Sequence, residues 1–138
     1  AWPIEYLTRV LVKALGDAYR VRAQLPLSLG RNNEPEPDLA VSRADLRTKG
    51  RHPGAAILVV EVADDSLRKD RTLKAALYAR FRVPEYWVVN VEAETVEVFT
   101  EPRPRSGTYG RLRTVGKGDT LVSESLPEVT VPVRNLFS

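Results

Sequence analysis

The run Ala55 Ala56 Ile57 Leu58 Val59 Val60 Glu61 Val62 Ala63 is apolar on both alternating faces except at one position. Its length and β-branched content read as a strand, and a strand with no polar face must be covered on both sides. The chain is therefore expected to build a sheet with this strand in its interior and helices packed over it. The exception is Glu61. Taking an ionised carboxylate out of water costs roughly several kcal/mol unless a cation, a metal or hydrogen-bond donors replace the solvent. The chain offers two compensations: Asp38, preceded by Pro37, which can share a divalent cation with Glu61, and Lys74 on the following helix.

The neighbouring segments fit such a sheet. Ile4, Leu7, Leu11, Leu15 and Ala18 recur at helical spacing, and from Tyr19 the period changes to two as far as Leu29. Pro26 cannot donate to a ladder, so this second segment is expected at an edge or bulged. Asp38 to Ser42 reads as a short strand. Ser66 is placed to cap a helix running to about Phe81, with Leu73, Ala76, Leu77 and Phe81 as its inward stripe. Tyr86 to Val91 and Thr95 to Phe99 read as a hairpin, Tyr109 to Val115 as a further strand, and Leu121–Val122 and Val129–Val133 as two short ones. Strand, helix, strand implies a right-handed parallel crossover. The expected class is α/β bordering on α+β, a mixed central sheet flanked by helices, in one domain over 1–138. A chain that starts on a helix without methionine is also expected to lack an N-terminal portion of the native protein.

Composition removes much chemistry. Without cysteine there are no disulfides, thiolate metal sites or cysteine nucleophiles. The single histidine, His52, lies in the turn-like Arg51 His52 Pro53 Gly54, a poor setting for the base of a triad. Any metal must be held mainly by oxygen, which favours magnesium, manganese or calcium. No apolar stretch approaches the ~20 residues of a membrane span, and no signal peptide is evident, so a cytoplasmic location is expected. A net charge of +3 is compatible with a phosphate-rich partner without requiring one.

Each candidate residue also has an ordinary reading. Asp38 after proline suits a turn, Glu61 suits a strand end facing water, and Asp70 with Lys74 suits an exposed pair four residues apart on a helix, contributing about 0.3–0.5 kcal/mol. Gly116 Lys117 Gly118 has the wrong spacing for a phosphate loop and reads as a tight hairpin turn. Glu92, Glu94 and Glu97 alternate with apolar residues and are expected to face water, as are Glu34 and Glu36. Tyr86 and Trp87 read as core and subunit-interface residues.

Taken in order, Pro37 Asp38, Glu61 Val62, Ser66, Asp70, Lys74, Tyr78, Val83 Pro84 Glu85 Tyr86 Trp87 and the closing Leu126 Pro127 and Asn135 Leu136 Phe137 resemble the bacterial restriction-endonuclease family within the PD-(D/E)XK nuclease superfamily. The resemblance implies that Asp38, Glu61 and the backbone carbonyl of Val62 hold magnesium or manganese. It implies that Lys74 replaces the lysine usually found two residues after the glutamate, where this chain has Ala63. Asp70 and Tyr78 would support the site, Asp70 by orienting Lys74 or a water, although Tyr78 also suits core packing. The family often has serine at position 63 and glycine near 82. Arg82 is thus expected to adopt the left-handed helix-ending conformation natural to glycine.

The function expected is a metal-dependent endonuclease that hydrolyses DNA phosphodiesters, with Arg43, Arg47, Lys49 and Arg51 as candidate contacts to the phosphate backbone and a homodimer as the form that cuts two strands. Two other readings stand beside it. One is a nuclease fold that binds nucleic acid or serves structure without cutting, with Glu61 and Lys74 as a metal-free ion pair; the other is a nuclease acting on RNA.

Overall fold

The computed structural model describes residues 1–45, 54–63 and 68–138, for 68–71 the backbone alone. Helix α1 (Trp2–Leu15) is followed by strands β1 (Tyr19–Ala23), β2 (Leu39–Arg43) and β3 (Leu58–Ala63), helix α2 (Arg68–Arg80), strands β4 (Glu85–Asn90), β5 (Thr95–Arg103), β6 (Thr108–Gly116), β7 (Thr120–Val122) and β8 (Thr130–Pro132), and a closing 3-10 turn, Val133–Leu136. β1 to β6 form one sheet in sequence order, and β7 pairs with β8. Only β3 and β4 run parallel, with Leu58 opposite Glu85 and Ala63 opposite Asn90; the other pairs within the sheet are antiparallel. The result is a mixed six-stranded sheet with a helix on each face, as expected, and β3 is an interior strand.

Alternation divides the strands between two cores. Leu39, Val41, Leu58, Val60, Trp87, Val89, Val96 and Val98 face α1 and the C-terminal strands, packing with Leu7, Leu11, Leu121 and Val131. Ala40, Val59, Ala63, Tyr86 and Val88 face the other way, toward Tyr78 of α2 and toward Leu27 and Leu29. Each fully buried leucine or valine contributes roughly 1.5–3 kcal/mol, so coverage of both faces is what holds β3 inside.

Several expectations are corrected. The alternating segment from Tyr19 stops being a strand at Ala23, because Gln24 turns to φ 52 and Pro26 cannot join a ladder. Leu27 and Leu29 are nevertheless buried. Their segment doubles back on itself through Leu27 N–H to Pro35 O and Leu29 N–H to Asn33 O. Ala18, expected on the inner face of the first helix, is exposed in the 3-10 turn that follows it. Gly116 to Asp119 is a tight turn but joins unpaired strands, β6 and β7. Tyr86 and Trp87 are wholly buried, which makes them core residues and removes them from any subunit interface.

The inward stripe of α2 is also different. Leu73 is 63% exposed and Phe81 38%, whereas Tyr78 and Ala79 are buried. Lys74 and Tyr78, four apart and so on one face, are turned toward Glu61. Leaving Leu73 in water forfeits roughly 1.5–3 kcal/mol, less than a stranded carboxylate would cost, so the demand of Glu61 sets the rotation of the helix. Arg82 takes φ 60, the left-handed conformation expected of it. Ser66, His52, Arg47, Lys49 and Arg51 lie outside the described residues, as does the side chain of Asp70.

Candidate active site

Asp38 stands immediately before β2, and Glu61 lies in the second half of β3 on the face that α2 covers. The adjoining antiparallel register, Leu39 opposite Val60, brings the two carboxylates side by side at one end of the sheet. They are joined through the backbone, since Val62 N–H donates to Asp38 Oδ2 at 2.7 Å. A strand residue sends its N–H and C=O to the same side, so the Val62 carbonyl also faces the Asp38 edge. Asp38 itself is held by Gln24 N–H, which donates to its carbonyl at 3.1 Å.

Glu61 is 6% exposed. Its Oε2 receives two donors: the Tyr78 hydroxyl at 3.0 Å, and Lys74, whose Nζ lies 3.5 Å away. Burial pushes the Glu61 carboxyl above the usual carboxylate range. Lys74 opposes that rise, the negative charge of Asp38 adds to it, and hydrogen bonds from Tyr78 and Lys74 oppose it again. The net direction is upward, because burial outweighs the attraction of the half-exposed Lys74 ammonium. Tyr78 is pushed up as well, first by burial and then by the charge of Glu61, and remains a hydroxyl donor at any working pH.

The site suits a small hard cation. Among the described residues, Asp38 Oδ1 and Glu61 Oε1 receive no hydrogen bond, while the opposite oxygens are engaged. Two carboxylates and a carbonyl form an all-oxygen donor set, and no third acidic or histidine side chain joins them among the described residues. A magnesium ion, which keeps several waters, can accept so sparse a set.

Of the other candidates, Ala63 packs into the second core and is 8% exposed, so a lysine there would have to bury its stem among apolar side chains. Arg43 lies at the other end of β2, five residues from Asp38 or roughly 17 Å along the strand, with its Nε 3.9 Å from Asp45 in an exposed pair. Glu34 and Glu36 are exposed, as expected; Glu94 and Glu97 are half-buried, and Glu94 pairs with Lys117 at 3.3 Å.

Two residues that the sequence reading passed over border the site. Arg22 is half-buried and in register with Ala40, on the face of β1 that carries Glu61 in β3; its alternation with Val21 was the available signal. Asn90, buried and in register with Ala63, accepts a hydrogen bond from Ala93 N–H at 2.9 Å and so shapes the strand end beside position 63. A cleft of about 480 Å³ lies on the other flank of α2, between Ala75, Ala76, Phe99, Tyr109 and Leu112, away from the carboxylates.

Comparison with known proteins finds a family and a similar fold. The model of the Uma2 family, described as "Putative restriction endonuclease", matches residues 2–134. Among solved structures, a putative nuclease belonging to DUF820 from Anabaena variabilis superposes with a TM-score of 0.75 at 14% identity, over 98% of this chain and 78% of that one. At such identity the likeness is one of fold. No curated protein matches.

Proposed function

Because the chain belongs to the Uma2 family of putative restriction endonucleases, we propose that it is a metal-dependent endonuclease that hydrolyses DNA phosphodiester bonds at Asp38 and Glu61. The observation that carries this reading is the pairing of the two carboxylates, one of them buried and raised in pKa by that burial despite Lys74. A divalent cation would relieve both the repulsion and the burial cost.

In this reading Asp38, Glu61 and the Val62 carbonyl would hold magnesium or manganese, which would supply Lewis acidity toward the phosphodiester and toward a water. The chain's own residues do the rest. The Val62 N–H fixes the rotamer of Asp38, and Tyr78 fixes Glu61 by holding Oε2, which leaves the other oxygen of each without a hydrogen bond among the described residues. Lys74, anchored on the same Oε2, orients the water and offers positive charge to the phosphorus oxygens as negative charge builds on them. Asp70, four residues before Lys74 in the sequence, would orient Lys74 or a water, and a homodimer would present two such sites to the two strands.

The test is cleavage of supercoiled DNA with magnesium or manganese. Asp38→Ala, Glu61→Ala and Lys74→Ala should each slow cutting by about a hundredfold or more; variants that cut like the parent would remove the assignment. The Lys74–Glu61 pair also favours a second reading, a nuclease fold that binds nucleic acid without cutting. Calorimetric titration separates the two, because that reading requires no uptake of magnesium or manganese at millimolar concentration.

A further inference from the structure

Away from Asp38 and Glu61, four arginines gather at the far end of α2. Arg80 closes the helix, Arg82 follows two residues later, and Arg103 and Arg105 belong to the end of β5 and the turn after it. All four are exposed. The Tyr109 hydroxyl donates to the Val83 carbonyl at 2.8 Å and ties the two segments together. Among the described residues, none of the four guanidinium groups makes a hydrogen bond or an ion pair. One acidic residue, Glu101, interrupts the segment.

The backbone is arranged to accommodate these side chains. Arg80 lies on Gly107, where a Cβ would come within 2.8 Å of its Nε, and Arg103 lies on Gly110, where a Cβ would come within 3.0 Å of its Nε. Gly110 is a strand residue outside the left-handed region, so its conformation does not call for glycine; its missing side chain gives room to a guanidinium. Arg82 holds φ 60 at the position after the helix where glycine is favoured, closed by Arg82 N–H to Ala79 O and Val83 N–H to Tyr78 O. Local conformational preference therefore opposes arginine at 82 and side-chain-free backbone at 110. The helix dipole explains a cation at the end of α2 but not Arg103 or Arg105. Four like charges that make no ion pair among the described residues, with one glutamate among them, fit a polyanion.

We infer that this cluster is a second nucleic-acid contact, which holds the phosphate backbone of a DNA duplex whose scissile phosphate lies at Asp38 and Glu61; the inference rests on the endonuclease reading. Its spacing suits a duplex. Leu58, Glu85 and Thr100 stand level across β3, β4 and β5, with Glu61 three residues to one side and Arg103 three to the other. Strand rise and strand spacing put them roughly 20 Å apart, about six base-pair steps along a duplex. Because each charge would meet phosphate, the contact is independent of sequence.

The test is titration of the chain with a labelled mixed-sequence duplex of about two helical turns, in EDTA and over a range of salt. The parent should bind with steep salt dependence. The triple variant Arg82→Gly, Arg103→Gln, Arg105→Gln should lose at least about tenfold in affinity and flatten the slope of log K against log salt by about two to three. Arg82→Gly alone should melt no lower than the parent, which excludes unfolding as the cause at that position. Three results would each overturn the inference: a parent that does not bind, a triple variant with unchanged affinity and slope, or displacement of the duplex by polyglutamate as readily as by unlabelled DNA. The endonuclease reading fails separately, in the cleavage assay with metal, to which binding in EDTA is blind.

Discussion

Glu61 reports its surroundings through its proton. Its ordinary value is near 4.5, and burial raises it in the folded chain. A carboxyl with a raised folded pKa binds its proton more tightly folded than unfolded, so the stability it contributes is complete below the unfolded value and is lost as pH rises through the folded one. In EDTA, the melting temperature of Glu61→Gln relative to the parent should therefore climb as pH rises above the ordinary value of 4.5. A relative melting temperature that is flat or falls over this range would mean that Lys74 already balances the charge. The residue was legible in the sequence because a carboxylate in an apolar run has few acceptable fates. The hydroxyl of Tyr78 was less so. Helical spacing placed it on the face of Lys74, but a tyrosine on an inward face is core by default. Here its ring packs 5.0 Å from that of Tyr86 while its oxygen serves Glu61.

Among the elements, α2 is the one whose role outgrows its local pattern. Leu73, Ala76, Leu77 and Phe81 make a plausible apolar stripe, and the helix nonetheless turns the Lys74–Tyr78 face to the sheet. Tyr78→Phe keeps the packing and removes one donor, so it should cost about 1 kcal/mol in chemical denaturation. It also removes an influence that lowers the Glu61 pKa, so the acid limb of the metal-dependent cleavage profile should move to higher pH. A purely structural tyrosine would change stability and leave that limb in place. The strands were easier to read. Apolar and β-branched runs placed β2 to β6 to within a few residues, whereas the first alternating segment was overrun past Ala23, because the left-handed turn at Gln24 leaves no trace in hydrophobic pattern.

Across the whole molecule, the sheet is fastened to the C-terminal strands by a second buried carboxylate. Glu85, fully buried at the start of β4, receives the Trp87 indole N–H at 2.7 Å, the Ser123 hydroxyl at 2.7 Å, and the backbone N–H groups of Ser125 at 2.9 Å and Glu124 at 3.4 Å. Ser123 Oγ in turn accepts from Leu126 N–H at 3.0 Å. Glu85→Ala would strand several buried donors together and should lower unfolding free energy by roughly 3 kcal/mol, measured by denaturant titration. Glu85→Gln, which keeps an acceptor, should lose less. Among the described residues no helix is long and apolar enough to cross a membrane.

The sequence by itself determined the strands, the interior place of β3 and the residues Asp38, Glu61 and Lys74 as a group to be explained, while the left-handed Arg82 came from the family resemblance. The strands and the site residues follow from backbone periodicity and from the free energy of a single buried charge, both readable within a short window. Only the tertiary structure decided that Asp38 and Val62 meet, that α2 rotates to serve Glu61, that Glu85 anchors the loop after β7 some forty residues away, and that the end of α2 meets the turn between β5 and β6 through Arg80 on Gly107 and Tyr109 on Val83. Each of these depends on which distant segments pair, and that choice is made by the summed burial of two cores.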